Sequence, residues 1–316
     1  TTGIPKILFR SFESWADFFA IQNAVFGVDA DSRLFVQGSL AFTGNLNLYM
    51  GQLAAGGTLI AEDVFLPGKW EQVMARERAN GIYLIPSKLL MLPRVFKGVN
   101  ANIRTIISGS QSLGRKDAEV LKKIFPNTEI TLYYGASELN YITYVKSADM
   151  TEERNLIGKP FPGVRVFIQD DEMYVDNAFH VENITVPYSL KDSGRMDLQG
   201  NFYFLGRTDD IVGVRGRKVS MMKIENALEE VAGITEAAVV LLPKEKDADM
   251  PAEIVSAFVT VEGTDVPENL RQQLKEKLAD FEIPKRVIVL EAFPKNTSGK
   301  VDKARLKKMW IEQEPQ

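Results

Sequence analysis

Three features of the sequence predict an α/β protein: a large domain of mostly parallel sheet flanked by helices with a small antiparallel sheet, followed by a small α+β C-terminal domain. Strand-like and helix-like segments alternate between residues 34 and 134, the order that parallel sheets with crossover helices need. Short alternating strands crowd residues 164–186 and suggest antiparallel pairing. At 206–220, GRTDDIVGVRGRKVS, an aromatic strand ends, a polar break follows, and Gly213 and Gly216 turn a ribbon back on itself. The expected domains are therefore 1–208 and 209–316. A chain of 316 residues is too long for one ordinary core, which agrees with one large and one small domain.

Taken in order, Thr1-Thr2-Gly3-Ile4-Pro5-Lys6 is polar and glycine-containing, and reads as a loop or a frayed terminus ahead of the apolar-patterned segment 7–28. Residues 34–63 read as strand, turn, amphipathic helix, a Gly56-Gly57 stop and a second strand, one complete α/β unit. The spacing predicts a helix over 70–81, a strand over 82–86 ended by proline, a helix over 87–96, a buried strand over 104–108 and a helix over 114–125. Strands follow at 164–169, 173–176, 179–186 and 201–205. Beyond the ribbon come a helix at 221–231, strands at 237–242 and 254–261, and an amphipathic helix at 267–281 with Leu270, Leu274 and Leu278 on one stripe. A strand at 286–290 and a basic terminal helix complete the small domain.

Hydrophobic residues make up 45% and charged residues 25%, the proportions of a soluble globular protein. A net charge of −4 argues against nucleic acid, whose binding relies on a basic field. No apolar run is long enough to span a bilayer, and no signal peptide is visible. With no cysteine, a thiol nucleophile, a zinc-thiolate site and disulfides are excluded, which fits the expected cytoplasmic location. His180 is the single histidine, so a Ser-His-Asp mechanism is disfavoured; it lies in the strand-like run 177–186 and reads as structural.

Ligands of open α/β sheets gather outside the carboxyl ends of strands. Gly109-Ser110-Gln111 and the segment YYGASE, 133–138, lie at such ends. A Tyr-Tyr pair in a strand is commonly core, but Gly135 and the acidic Glu138 directly after it favour a site. Asp192, in KDSGRMD, reads alone as a solvated turn aspartate. PKNTSGK at 294–300 presents Lys300 at the tip of a Ser-Gly turn, ahead of a basic tail that is otherwise a solvated face.

In this order the segments resemble the signatures of the adenylate-forming superfamily, which holds acyl-CoA synthetases, firefly luciferase and the adenylation domains of nonribosomal peptide synthetases. TTGIPK at 1–6 resembles the second half of the family's phosphate-binding loop, with Ile7 where a glycine is usual. YYGASE, Asp192 (with Lys191 where glycine is usual), the hinge motif Gly206-Arg207-x-Asp209 with Gly216, Lys218 and Glu225, and PKNTSGK follow in the expected sequence. The resemblance implies that Thr1, Thr2, Gly3 and Lys6 surround the phosphates of ATP. It also implies that Ser110, Gln111, Tyr134 and Gly135 form the adenine site, that Ser137 meets phosphate, and that Glu138 holds Mg²⁺ with a catalytic role. Asp192 and Arg207 would take the ribose, Asp209 would be the hinge, Gly216 and Lys218 the thiol tunnel, and Lys300 the catalytic cation.

An acid pocket would be formed by Phe42, Thr43, Gly109 and Tyr133. Family members that activate α-amino acids carry aspartate at the position of Thr43. A neutral hydroxyl cannot balance an ammonium, and a buried unpaired charge is costly. The expected substrate is therefore an aryl or fatty acid and not an amino acid. The expected function is ATP- and Mg²⁺-dependent formation of acyl-AMP followed by transfer to a pantetheine thiol, of coenzyme A or of a carrier protein supplied in trans. Two other readings stand beside it: a stand-alone enzyme loading an aryl acid onto a carrier protein, and a nucleotide-binding relative without turnover. Thr1 is not an initiator and the front of the phosphate loop is absent, so the chain is expected to be the remainder of a longer protein.

Overall fold

The computed structural model describes residues 7–40, 42–208, 211–214, 216–244, 253–295 and 301–312, without the Lys218 side chain. Its contacts divide the chain into two compact units, 1–204 and 205–316.

The first unit opens with two short helices, α1 (Glu13–Ala16) and α2 (Phe19–Phe26). The α/β unit read at 34–63 forms as β1 (Arg33–Gln37), α3 (Thr43–Ala54) and β2 (Thr58–Glu62). After it come α4 (Pro67–Arg76), β3 (Gly81–Tyr83), α5 (Pro86–Leu89), α6 (Leu92–Val95), β4 (Thr105–Gly109) and α7 (Arg115–Ile124). The remaining strands are β5 (Glu129–Ala136), β6 (Asn140–Lys146), β7 (Leu156–Pro160), β8 (Arg165–Gln169), β9 (Glu172–Asp176), β10 (Tyr188–Met196) and β11 (Phe202–Arg207).

Strands β1 to β5 pair in parallel, and the sheet turns antiparallel from β5 to β6 onward. Successive residues of a strand face opposite sides. Accordingly Phe35 and Ile106 join one core with Trp70, Leu121 and Phe125, while Leu34, Val36 and Ile107 join another with Phe18, Phe26 and Leu48. Helices α4 and α7 thus cover one face, α2 and α3 the other. The antiparallel strands are not a separate sheet: the order β2-β1-β3-β4-β5-β6-β7-β11-β10-β9-β8 is continuous among the described residues.

Three expected elements differ. Residues 87–96 form two single-turn helices instead of one, because Pro93 lacks an N–H and its ring opposes the carbonyl four residues back. Residues 179–186, with His180, are not a strand; the strand begins after Pro187 as β10. Phe179, Ile184 and Val186 are apolar because they pack against the core from a loop. The helix expected over 267–281 is confined to α9 (Leu270–Lys275), although Leu270, Leu274 and Leu278 are all buried as the stripe predicts.

In the second unit β12 (Ile211–Val214) and β13 (Arg217–Ser220) form the expected ribbon, followed by α8 (Met221–Glu229). The Ser220 hydroxyl accepts from Lys223 N at 3.2 Å as the helix cap and donates to Leu205 O at 2.7 Å. A three-stranded sheet of β14 (Ile234–Pro243), β15 (Glu253–Val261) and β16 (Arg286–Val289) carries α8 and α9 on one face and α10 (Lys303–Glu312) on the other. Glu225, assigned to the hinge motif, ties these layers together, accepting Val239 N at 2.6 Å and Lys303 Nζ at 2.7 Å.

Candidate active site

The site is built around the end of β5. Tyr133 turns inward, with 6% of its surface exposed, and Tyr134 stays half-buried. The hydroxyls of Tyr133 and Tyr83 lie 2.7 Å apart, and their rings are 6.4 Å apart and within 7° of parallel. A Cβ at Gly109 would overlap the Tyr133 ring, and one at Gly44 would sit 2.8 Å from its hydroxyl. Glycine at both positions therefore makes room for this phenol. Burial pushes Tyr133 up to about 12, with the Tyr83 hydrogen bond opposing, and holds Tyr83 well above its ordinary value.

At Gly135 the register of β5 and β6 shifts. A Cβ there would lie 2.6 Å from the Asn140 carbonyl oxygen, so only glycine allows the strands to approach so closely. The chain then turns through Ser137, Glu138 and Leu139. Ser137 and Glu138 are half-buried, and Ser137 Oγ lies 2.8 Å from Thr43 Oγ1 at the start of α3. The first-turn amides of a helix favour an anion near that end. Phe42, 46% exposed, precedes Thr43.

Asp192 is in β10 rather than in a solvated turn; it is 8% exposed and accepts the Tyr134 hydroxyl. Beside it Lys191 takes a left-handed conformation, φ 63°, and meets Glu172 at 3.1 Å; its ammonium and the Ser189 hydroxyl hold Glu172 below the ordinary carboxylate value. Ser110 is exposed at φ 69° directly after β4, and Gln111 Oε1 accepts Ser87 N at 2.9 Å. Hydrogen bonds thus tie the 134–137 segment to two distant parts of the sequence, Ser137 to Thr43 and Tyr134 to Asp192.

In the second unit Gly206, at φ 124°, and the exposed Arg207 end β11, Gly216 takes the turn between β12 and β13, and Lys218 belongs to β13. Thr1, Thr2, Gly3, Lys6, Asp209 and Lys300 lie outside the described residues. Sequence reasoning missed Tyr83, Arg10 and Asn177. Tyr83 is found only through the space that Gly44 and Gly109 leave, and the other two act on backbone carbonyls that no side-chain motif marks.

The donor set is all oxygen: the hydroxyls of Thr43 and Ser137 and the carboxylates of Glu138 and Asp192. Among the described residues no three His, Asp or Glu side chains cluster as a metal cage. That combination suits Mg²⁺, which takes one or two carboxylates and completes its shell with phosphate oxygens and water.

The fold is therefore an α/β sheet with hydroxyls and carboxylates on and around the turn that ends β5, followed by a small α+β unit. The AMP-binding enzyme family model matches residues 1–178, and that of the AMP-binding enzyme C-terminal domain matches residues 223–300. The chain belongs to the AMP-binding enzyme family. It is 26% identical over 336 residues to an uncharacterised acyl–CoA ligase of Bacillus subtilis, covering 100% of this chain and 68% of that protein. It is 25% identical over 324 residues to a 2-succinylbenzoate–CoA ligase of Listeria monocytogenes, covering 97% and 68%. The chain thus spans about two thirds of the length of these ligases. The amide bond synthetase McbA from Marinactinospora thermotolerans has the same fold, with a TM-score of 0.84 at 24% identity over 98% of this chain and 68% of that one. No described helix is long and apolar enough to cross a membrane.

Proposed function

We propose that the protein converts an aryl or fatty acid to its acyl-adenylate and passes the acyl group to a pantetheine thiol. The observation that carries this reading is a pair of hydrogen bonds, one joining Thr43, read as acid pocket, to Ser137, read as phosphate contact, and the other joining Tyr134, read as adenine contact, to Asp192, read as ribose contact. A carboxylate oxygen forms a bond to the α-phosphorus of ATP as the bond to the bridging oxygen breaks and pyrophosphate leaves. The thiolate then bonds to the acyl carbon and AMP departs. In the first step Ser137 donates to phosphate, Asp192 accepts the ribose hydroxyls with Arg207 nearby in the chain, and Lys300 supplies positive charge where negative charge grows. Glu138 would hold Mg²⁺, which when bound would neutralise charge on the phosphate oxygens. Lys300 then gives way to the Gly216 and Lys218 ribbon through rotation at Asp209.

The test is acid-dependent exchange of labelled pyrophosphate into ATP across fatty, aryl and α-amino acids. Aryl or fatty acids should support exchange and amino acids should not, because Thr43 offers no charge to an ammonium. Fastest exchange with an amino acid would overturn the pocket assignment, and no exchange with any acid would overturn the reaction. Offering coenzyme A and a phosphopantetheinyl carrier protein in turn then identifies the acceptor.

A further inference from the structure

The turn that carries Ser137 and Glu138 presents three consecutive carbonyls, and each is taken by a different group. Arg10 Nη2 donates to Ser137 O at 3.2 Å, Val181 N to Glu138 O at 2.9 Å, and Asn177 Nδ2 to Leu139 O at 3.0 Å. The other terminal nitrogen of Arg10, Nη1, reaches Phe179 O at 2.7 Å and Ser14 O at 3.2 Å. Glu182 N donates to Phe9 O at 2.7 Å, and Asn177 Oδ1 accepts Phe179 N at 2.9 Å. One half-buried guanidinium therefore joins the segment that follows Lys6, the 137–139 turn and the 177–182 loop. Arginine suits this place because its planar fork offers five N–H donors in fixed directions, whereas a lysine ammonium is a single point.

We propose that Arg10 is a positioning residue of the nucleotide site. It holds the turn by its backbone so that the Ser137 hydroxyl and the Glu138 carboxylate are set in place before ATP and Mg²⁺ arrive, and it locks that turn to the stretch leading out of the Thr1–Lys6 segment. The inference rests on the nucleotide reading of Ser137 and Glu138. Preorganisation of this kind acts through groups that never touch the ligand, and losing a supporting hydrogen bond behind a ligating residue costs on the order of ten- to a hundredfold in metal affinity or activity.

The experiment compares the full chain with Arg10→Gln and Arg10→Lys. It reads the melting temperature of each free protein, its rise on adding Mg²⁺ and ATP, and the Mg²⁺ and ATP concentrations that half-saturate pyrophosphate exchange. In Arg10→Gln the nucleotide-induced rise should shrink and half-saturation should increase on the order of ten- to a hundredfold, with Arg10→Lys in between. A lower melting temperature with an intact nucleotide-induced rise and wild-type half-saturation would make Arg10 merely structural and overturn the inference. Should Arg10→Gln fail to fold, Arg10→Lys decides on the same readings. A wild type that neither gains from ATP nor exchanges overturns the functional reading and the inference together. A competent wild type matched by both variants overturns the inference alone.

Discussion

Buried phenols give the first unit a weakness in alkali. Burial raises Tyr133 to about 12 from the ordinary 10.0, and Tyr83 and Tyr141 lie well above that value too. Each keeps its proton in the native state after the unfolded chain has released it. The native state therefore has its full advantage below pH about 10 and loses it as pH climbs toward the native values. Denaturant melts from neutral pH upward should be flat to about pH 10 and then fall, with the ultraviolet phenolate signal of these residues appearing together with unfolding. Ionisation of all 9 tyrosines at ordinary pH in a still-folded protein would refute the burial argument. The other single-residue test is chemical: Lys300→Ala should slow acyl-AMP formation on the order of a hundredfold to a thousandfold, the usual cost of a lost preorganised charge. Thiol attack on a supplied acyl-adenylate should change far less. Equal losses in the two half-reactions would make Lys300 a structural residue.

Among the elements, the hinge motif carries its own experiment. Proline fixes φ near −65° and removes an N–H, so Asp209→Pro restricts the turn through which two domain orientations would interchange. The variant in a full-length protein should still form acyl-AMP while thioester formation slows, with a thermal melt confirming the fold; an unimpaired thioester step ends the hinge proposal. The strands and helices that frame the site were legible where burial leaves a mark on residue type: β4 is buried at all five positions and centres on the apolar pair Ile106-Ile107. Where a loop is buried, the same signal misleads, as with Phe179, Ile184 and Val186. Strand β10 was invisible for the opposite reason, since its Ser-Leu-Lys-Asp-Ser-Gly run is polar and is held in the sheet by partners on both sides. The candidate site follows the same division. YYGASE stands out by its side chains and Asp192 only by its place among the family's ordered motifs, whereas the carbonyl contacts of Arg10 and Asn177 leave no trace in the identities of residues 137–139.

Among the described residues, each unit has its own buried apolar clusters. Two clusters fill 1–204, and two others, around Val219, Ile224 and Leu274 and around Phe258 and Leu306, lie wholly beyond residue 205. A fragment of residues 205–316 should accordingly fold by itself and melt cooperatively by circular dichroism; a fragment without a cooperative transition would show that the second unit needs the first. The first unit faces a stricter constraint. Strand β11 is its last in the chain yet lies between β7 and β10, well inside the sheet. During synthesis, then, a chain that has emerged only as far as residue 200 carries two unpaired strand edges where a seam should be closed, and such edges are templates for pairing with other chains. The strand that closes the seam is the same one that runs into the hinge motif. A ribosome stalled just before it would release a sticky product, whereas one stalled a few residues later would release a sealed one, so the last few residues of this unit decide whether its earlier two hundred are safe from aggregation.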